Sequence, residues 1–399
     1  MLKHQHRLIG LVCAASIVAF ANLYLFHPLL PVIAADYHVS ELTSNLLMAV
    51  AMAGMGVGLI IFAGVADALG RRQIFLWSIL GGSLVTLLIP FMAHFSLIVL
   101  ARFVQGVFLA GCPAVAIAFL TDELPVKRAP AAIGLFVAAN SIGGLSGRII
   151  SALLTQLSGQ WQVACWVLGA LGVLVMVLAI AYLPQASGFK AKPFSLPQMG
   201  RDFAAHLANR QLFAIYLIAG IAFGVFVNQF SFLLFMLANP PYSMPTAFSG
   251  LIFCCYLAGT VAAARSGRFS LKYGLVRGIQ VGLLMMLAGC GLLLSHHLAV
   301  LFAGLCVLSA GFFFCHSQAS SLVGKQVTQA KASAQALYTL FYYLGASLGA
   351  FYLEPFYQYA AWPGVVGALA SGIIICLLIT LRLAYDRALG QLQDVVMHR

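Results

Sequence analysis

Two arginines stand inside stretches that are otherwise apolar, Arg102 in Arg102-Phe103-Val104-Gln105-Gly106 and Arg148 directly after Gly143-Gly144-Leu145-Ser146-Gly147. A guanidinium keeps its charge at any ordinary pH and carries five N–H donors, so among apolar neighbours it needs carbonyls, an anion or water. A cation so placed can stabilise a carboxylate, hold a water in a proton relay, or select an anionic or hydroxyl-rich solute. Gln105 follows Arg102 by one turn on the same helical face, and Gly106 lets a neighbouring helix approach closely. Each arginine also has a plainer reading, in which it snorkels to an interface or braces another helix. Protonatable groups are few. Of the 9 Asp and Glu, only Glu354, just before Pro355, lies within or near an apolar stretch, and His316 lies in Cys315-His316-Ser317-Gln318. Glu354 is either a proton site or an exposed charge at a helix end, and His316 either a titrating group or a histidine bonded to a carbonyl. No carboxylate sits beside Arg102 in sequence, so its partner must come from another stretch, Glu354 first and His316 second.

Composition sets the solvent that these groups meet. With 62% hydrophobic and 8% charged residues and a mean hydropathy of +1.01 over 399 residues, the chain has more apolar surface than a water-soluble fold can bury. It reads as an all-α membrane protein. A bilayer core of ~30 Å needs about 20 apolar residues per helix. Such runs lie near residues 8–34, 44–63, 73–93, 97–120, 131–157, 161–183, 211–237, 246–265, 275–295, 298–322, 334–355 and 363–383. With a cytoplasmic N-terminus these twelve spans put 19 of the 21 Lys and Arg in inside segments or at the inner ends of spans and none outside, Arg102 and Arg148 being the two left within spans. Both termini are then cytoplasmic. The net charge of +12 and pI near 9.4 follow from that topology, and no nucleic-acid partner is needed to explain them. Lys3 to Arg7 before an apolar run imitates a signal peptide, but the run continues into Pro28 and Pro31 without a small-x-small site and stays as the first span. The 9 cysteines all fall within apolar spans, without CxxC or Cys/His spacing, and read as small packing residues. No cofactor or metal is expected. Neither a Gly-rich phosphate loop nor HExxH nor a nucleophile elbow appears, so the chain is not read as an enzyme or as an ATP-driven pump.

The chain also repeats itself. Phe62-Ala63-Gly64-Val65-Ala66-Asp67-Ala68-Leu69-Gly70-Arg71-Arg72, between two spans, returns in worn form as Gly267-Arg268-Phe269-Ser270-Leu271-Lys272-Tyr273-Gly274. Phe20-Ala21-Asn22 is echoed by Phe226-Val227-Asn228, and Gly143-Gly144-Leu145-Ser146-Gly147 by Gly345-Ala346-Ser347-Leu348-Gly349, at similar offsets. The expected organisation is a six-helix half over 1–183, a cytoplasmic linker over 184–210 rich in Lys, Pro and Ser, and a second six-helix half over 211–399.

The loop at 62–72 resembles the one between the second and third helices of the major facilitator superfamily, Gly-x-Leu-Ala-Asp-Arg-x-Gly-Arg-Arg. Asp67, Gly70, Arg71 and Arg72 match; Ala63 replaces the first glycine and Ala68 the first arginine. Arg102-x-x-Gln105-Gly106 resembles the Arg-x-x-Gln-Gly motif of the same superfamily. The fifth span resembles the antiporter branch's Gly-Pro-x-x-Gly-Gly less closely, with Gly144 for the proline and Arg148 for the last glycine. Tyr24-Leu25-Phe26-His27-Pro28-Leu29-Leu30-Pro31 is similar to a run in which exporters often carry glutamine where His27 stands, and a role for His27 is the lesser reading.

The resemblance implies two pseudo-symmetric six-helix halves around a midplane site, working by alternating access. It also implies that Arg102 and Gln105 serve proton coupling, for which the residues themselves offer Glu354 and His316 as protonatable partners, and that Asp67, Gly70, Arg71, Arg72, Asp122 and Glu123 form a weak cytoplasmic latch. Asn22, Tyr24, Arg148, Asn228, Gln229 and Gln318 are the polar groups expected to line a substrate cavity. The function so read is proton-coupled efflux of a small organic compound, a drug or sugar-like metabolite, by a monomer in the inner membrane. Its partners are the solute, protons and the lipid bilayer. Proton-coupled uptake of a small anion is the alternative, and a membrane receptor or scaffold with a transporter's fold the alternative of another class.

Overall fold

A chain surrounded by hydrocarbon must satisfy its backbone N–H and C=O groups within each spanning segment, which favours helices. The computed structural model describes residues 2–125, 127–183 and 196–397, and every regular element among them is helical. The α-helices are α1 (Leu2–Tyr24), α2 (Leu30–Asp36), α3 (Glu41–Leu69), α4 (Arg71–Leu88), α5 (Phe95–Glu123), α6 (Ala129–Ser158) and α7 (Gln162–Tyr182). They continue with α8 (Leu196–Ala208), α9 (Arg210–Ala238), α10 (Thr246–Leu251), α11 (Tyr256–Tyr273), α12 (Leu275–Leu293), α13 (Leu298–Gln326) and α14 (Lys331–Met397). Among the described residues 11 helical segments are long and apolar enough to cross a membrane. The last of them, Lys331–Ala384, is 54 residues long. Its backbone leaves the helical region at Ala360 (φ −139°, ψ 22°) and Ala361 (φ 48°, ψ −138°), just ahead of Pro363, which has no N–H to give to a preceding turn.

By packing, the chain divides into two compact units, Met1–Ser195 with Ser231–Phe253, and Leu196–Phe230 with Cys254–Arg399. In the first, α3 lies along α5, α1 along α6, and α4 along both α5 and α7. Small residues make these approaches possible, since association in lipid depends on close packing rather than on the hydrophobic effect. At Gly147 of α6 an added Cβ would stand 2.5 Å from Cα and O of Ala21 in α1. In the second unit α12 lies along α13 and α11 along α13, while Gly224 of α9 meets Gly345 of α14, with only 2.5 Å between an added Cβ and the Gly345 carbonyl oxygen. The glycine pattern that repeats in sequence thus serves the same task in both units.

The loop motif and its worn copy share a backbone. Gly70, between α3 and α4, has φ 94° and ψ 139°; Gly274, between α11 and α12, has φ 85° and ψ 159°. Each donates its N–H to the carbonyl four residues back, Ala66 or Ser270, and the next helix begins at once. Only glycine adopts this region without cost, which explains why Gly274 persists where most of the motif has worn away. Gly274→Ala should therefore lower the stability of the purified protein by about 1–3 kcal/mol, read as a lower thermal melting point. Gly267→Ala, at a helical glycine whose added Cβ meets nothing within 4 Å, should melt close to wild type. Equal melting of the two variants would contradict the assigned backbone at Gly274.

Candidate functional site

The end of α1 creates the first polar site. When the helix stops at Tyr24, carbonyls of its last turn lose their intrahelical donors, and in a membrane water is not there to replace them. Arg102 of α5, fully buried, supplies the donors. Its Nη2 donates to Leu23 O at 2.7 Å and approaches Met48 Sδ at 3.9 Å; its Nη1 donates to Asn22 O at 3.3 Å and to Gln105 Oε1. Its Nε donates to Leu47 O of α3 at 3.0 Å, and the guanidinium lies 4.7 Å from the centre of the Phe26 ring. All five N–H donors have acceptors, and a cation at a helix C-terminus also meets the favourable end of its dipole. Gln105 passes the network on through Nε2 to Thr86 Oγ1 of α4, whose hydroxyl donates to Gly82 O at 2.8 Å. Arg102 and Gln105 therefore tie α1, α3, α4 and α5 together, and a coupling role would require one of these bonds to be exchanged during the cycle.

The second site surrounds Arg148 of α6, which is 2% exposed. Its Nη1 donates to Gly144 O at 3.0 Å, and its Nε and Nη2 both lie 3.3 Å from Nδ1 of His27. Its guanidinium carbon is 3.9 Å from the centre of the Tyr24 ring and 4.5 Å from that of Phe253. His27, buried in the short 3-10 turn His27–Leu29, packs on Phe253 at 5.0 Å between ring centres and reaches Ser231 Oγ through Nε2 at 3.3 Å. Sequence reasoning singled out Arg148 and Tyr24, gave His27 a lesser role, and missed that the three meet. The signal was present: His27 and Arg148 are both departures from the exporter pattern, and the structure makes them partners.

The remaining expected residues are placed variously. Arg71 forms an ion pair with Asp122 and donates to Ala118 O at 3.4 Å, the two side chains being 26% and 50% exposed. Such a pair is worth about 0–1 kcal/mol, in keeping with a contact that opens readily. Arg72 caps α7 through Leu183 O at 3.3 Å and Ile180 O at 3.2 Å. Glu123 ends α5, and the side chain of Asp67 lies outside the described residues. Asn22 and Asn228, which repeat in sequence, also repeat in use. Asn22 Nδ2 donates to Val18 O (2.9 Å) and to Leu168 O of α7 (3.3 Å), and Asn228 Nδ2 to Gly224 O (2.8 Å) and Ala346 O of α14 (2.7 Å). Gln318 Nε2 donates to Ser266 O of α11 at 2.7 Å, so this amide and the two asparagines hold helices together. Gln229 is different: it is fully buried and neither amide atom has a hydrogen-bond partner among the described residues. In the second unit His316 Nδ1 meets Tyr338 Oη at 2.9 Å. Glu354, 8% exposed, accepts from Gln358 Nε2 at 2.8 Å through Oε1, while Oε2 has no partner among the described residues.

These features, with membrane-length helices, closely packed glycines and a doubled turn motif, agree with what the known families offer. The description of the Major Facilitator Superfamily matches residues 12–350. The chain belongs to that superfamily. This transporter is 30% identical over 377 residues to the inner membrane transport protein YnfM of Escherichia coli (strain K12), covering 93% of this chain and 88% of that one. It is 25% identical over 394 residues to the multidrug resistance protein MdtL of Salmonella heidelberg (strain SL476), covering 96% and 98%. The crystal structure of the nucleoside transporter NupG shares the fold, with a TM-score of 0.77 at 13% identity over 94% of this chain and 99% of that one. The transporter is thus membrane-embedded and carries a small molecule by secondary transport.

Because Arg102 fills five acceptors at fixed positions, lysine, with three donors on a single nitrogen, cannot replace it. R102K should cost about 1–3 kcal/mol of stability for each buried carbonyl left without a donor, seen as a marked fall in melting temperature and in monodisperse yield. An R102K protein as stable as wild type would remove Arg102 from this bracing role.

Proposed function

We propose that this transporter is a proton-coupled antiporter of the inner membrane, exporting a small organic compound by alternating access. The observation that carries the reading is a pair of protonatable side chains inside spanning helices, Glu354 buried with one oxygen unpartnered among the described residues, and His316 half-buried against Tyr338. Gain or loss of a proton at such a group changes the charge inside a span, where no water is at hand to absorb the change. Arg102 and Gln105 belong to the coupling machinery as the rigid frame on which helices move. Export is supported by the similarity to MdtL, a multidrug resistance protein, and by the exporter-like pattern of the fifth span.

The break at Ala360–Ala361 supports reading the last long segment as two crossings. The transporter then has twelve in two halves, 1–183 and 211–399, joined by a cytoplasmic linker at 184–210, with both termini cytoplasmic. It works as a monomer. Asp67, Gly70, Arg71, Arg72, Asp122 and Glu123 act as the latch, the Arg71–Asp122 pair holding α4 to α5. Tyr24 and Arg148 in the first unit and Gln229 in the second are each candidates for contact with substrate, Gln229 through amide atoms that a bound solute would pair. Asn22, Asn228 and Gln318 set the walls through the helix contacts they maintain.

A second reading, proton-coupled uptake of a small anion, is favoured by Arg148, a buried cation whose surroundings include two aromatic rings and a histidine. One experiment separates the two. A growth screen comparing deletion with overexpression identifies a transported compound, whose flux is then followed in proteoliposomes with and without a pH gradient. Antiport moves the compound against the direction of proton flow; uptake moves both the same way. E354Q should lose about tenfold or more of the gradient-driven rate while keeping gradient-free exchange, since coupling and binding are separate tasks. Flux that ignores the gradient in the wild-type protein would refute proton coupling.

A further inference from the structure

Arg148 offers only N–H donors, so a ring nitrogen that bonds to it must be an acceptor. That nitrogen is Nδ1 of His27, 3.3 Å from both Nε and Nη2. With Nδ1 bare, the neutral ring carries its proton on Nε2 and donates it to Ser231 Oγ, also at 3.3 Å. The histidine therefore joins α6 to α9 in this way only while it is neutral. A further proton would go to Nδ1, convert that acceptor into a donor, and set two cations 3.3 Å apart in a buried site.

We infer that His27 is a further proton-binding group, in addition to Glu354 and His316, and that its protonation expels Arg148 and releases the segment Ser231–Phe253 from α6. The inference rests on the antiporter reading above and adds to it a proton-binding group in the first unit. The segment is held at three points that share this pair. Ser231 bonds to the imidazole; Phe253 packs on both the imidazole and the guanidinium; and Gly250 presses on α6, where an added Cβ would lie 2.6 Å from Ala152 Cβ and 3.4 Å from Arg148 O. Displacing the guanidinium disturbs all three together. Among the described residues, the charged and titratable groups against His27 come from several elements. Arg148 of α6 faces it, with Tyr24 of α1 against the same guanidinium. The turn Ile252–Cys255 brings Phe253, α9 brings Ser231, and α10 (Thr246–Leu251) contains no acid or base. Asp36, at the far end of α2, accepts a hydrogen bond from Trp161 Nε1 at 2.8 Å. Where glutamine stands in similar exporters, an amide oxygen can accept from an arginine but cannot take up a proton at physiological pH; histidine does both.

The test measures the separation of α6 from α10 as a function of pH in the purified full-length protein. Spin labels on unnatural side chains replace Leu157 and Phe248, which are 75% and 61% exposed. Between about pH 8 and about pH 4 the long-distance population of otherwise wild-type protein should rise about threefold or more. H27Q should stay at the wild-type distribution of high pH, because glutamine still accepts from Arg148. R148Q, in which protonation of His27 meets no second cation, should also fail to respond to acid. Acid opening in H27Q equal to wild type, or no acid response in the wild-type background, overturns the inference. A switch that responds in wild type and is locked in H27Q, together with flux that ignores the proton gradient, supports the switch and refutes antiport instead.

Discussion

A guanidinium inside a membrane bundle must find an acceptor for each of its N–H groups, and on that constraint the first unit of this transporter is built. Arg102 meets it with carbonyls that the end of α1 leaves open and with one from α3, so that helix termination and arginine burial satisfy each other. Without the arginine, the α1 carbonyls would be buried and unbonded; without the helix end, the cation would lack part of its acceptor set. Gln105 and Thr86 extend the same satisfaction to α4. The result is a frame whose helices are held by polar contacts at one level and by glycine contacts at others, which suits a body that must move without coming apart.

Arg148 meets the constraint differently. Its acceptors include a side chain that changes character with pH, and its apolar neighbours are aromatic faces rather than a closed cage of carbonyls. One arginine is thus held by groups that do not titrate and the other by one that does. The difference separates a brace from a switch, although the two residues look alike in sequence, each a lone cation in an apolar span.

The two units solve their turn and packing problems with the same parts. Gly70 and Gly274 share a backbone conformation open to glycine, and Asn22 and Asn228 each donate to the carbonyl four residues back and to one on a neighbouring helix. What has diverged is the charge. The first unit holds Arg102 and Arg148 buried, while the second buries Glu354 and holds His316 half-buried against Tyr338. The duplicated frame thus carries different ionisable groups in its two units.

Much of this is legible from the chain alone. Hydropathy and the distribution of basic residues mark the spans because an apolar solvent punishes exposed charge at every position, and the doubled turn is readable because only glycine fits its backbone. The family follows from short motifs such as Arg102-x-x-Gln105-Gly106, whose residues lie one turn apart and meet through local geometry. Partners far apart in sequence are another matter. Nothing in the order of residues joins His27 to Arg148, sends Asn22 to α7, or leaves Gln229 buried without a partner among the described residues, for each depends on how whole helices are turned against one another. Sequence determines which groups must be satisfied, through the cost of burying them. Only the tertiary structure decides by whom, because hydrogen bonds a few ångströms long choose among many acceptors that a one-dimensional pattern leaves equivalent.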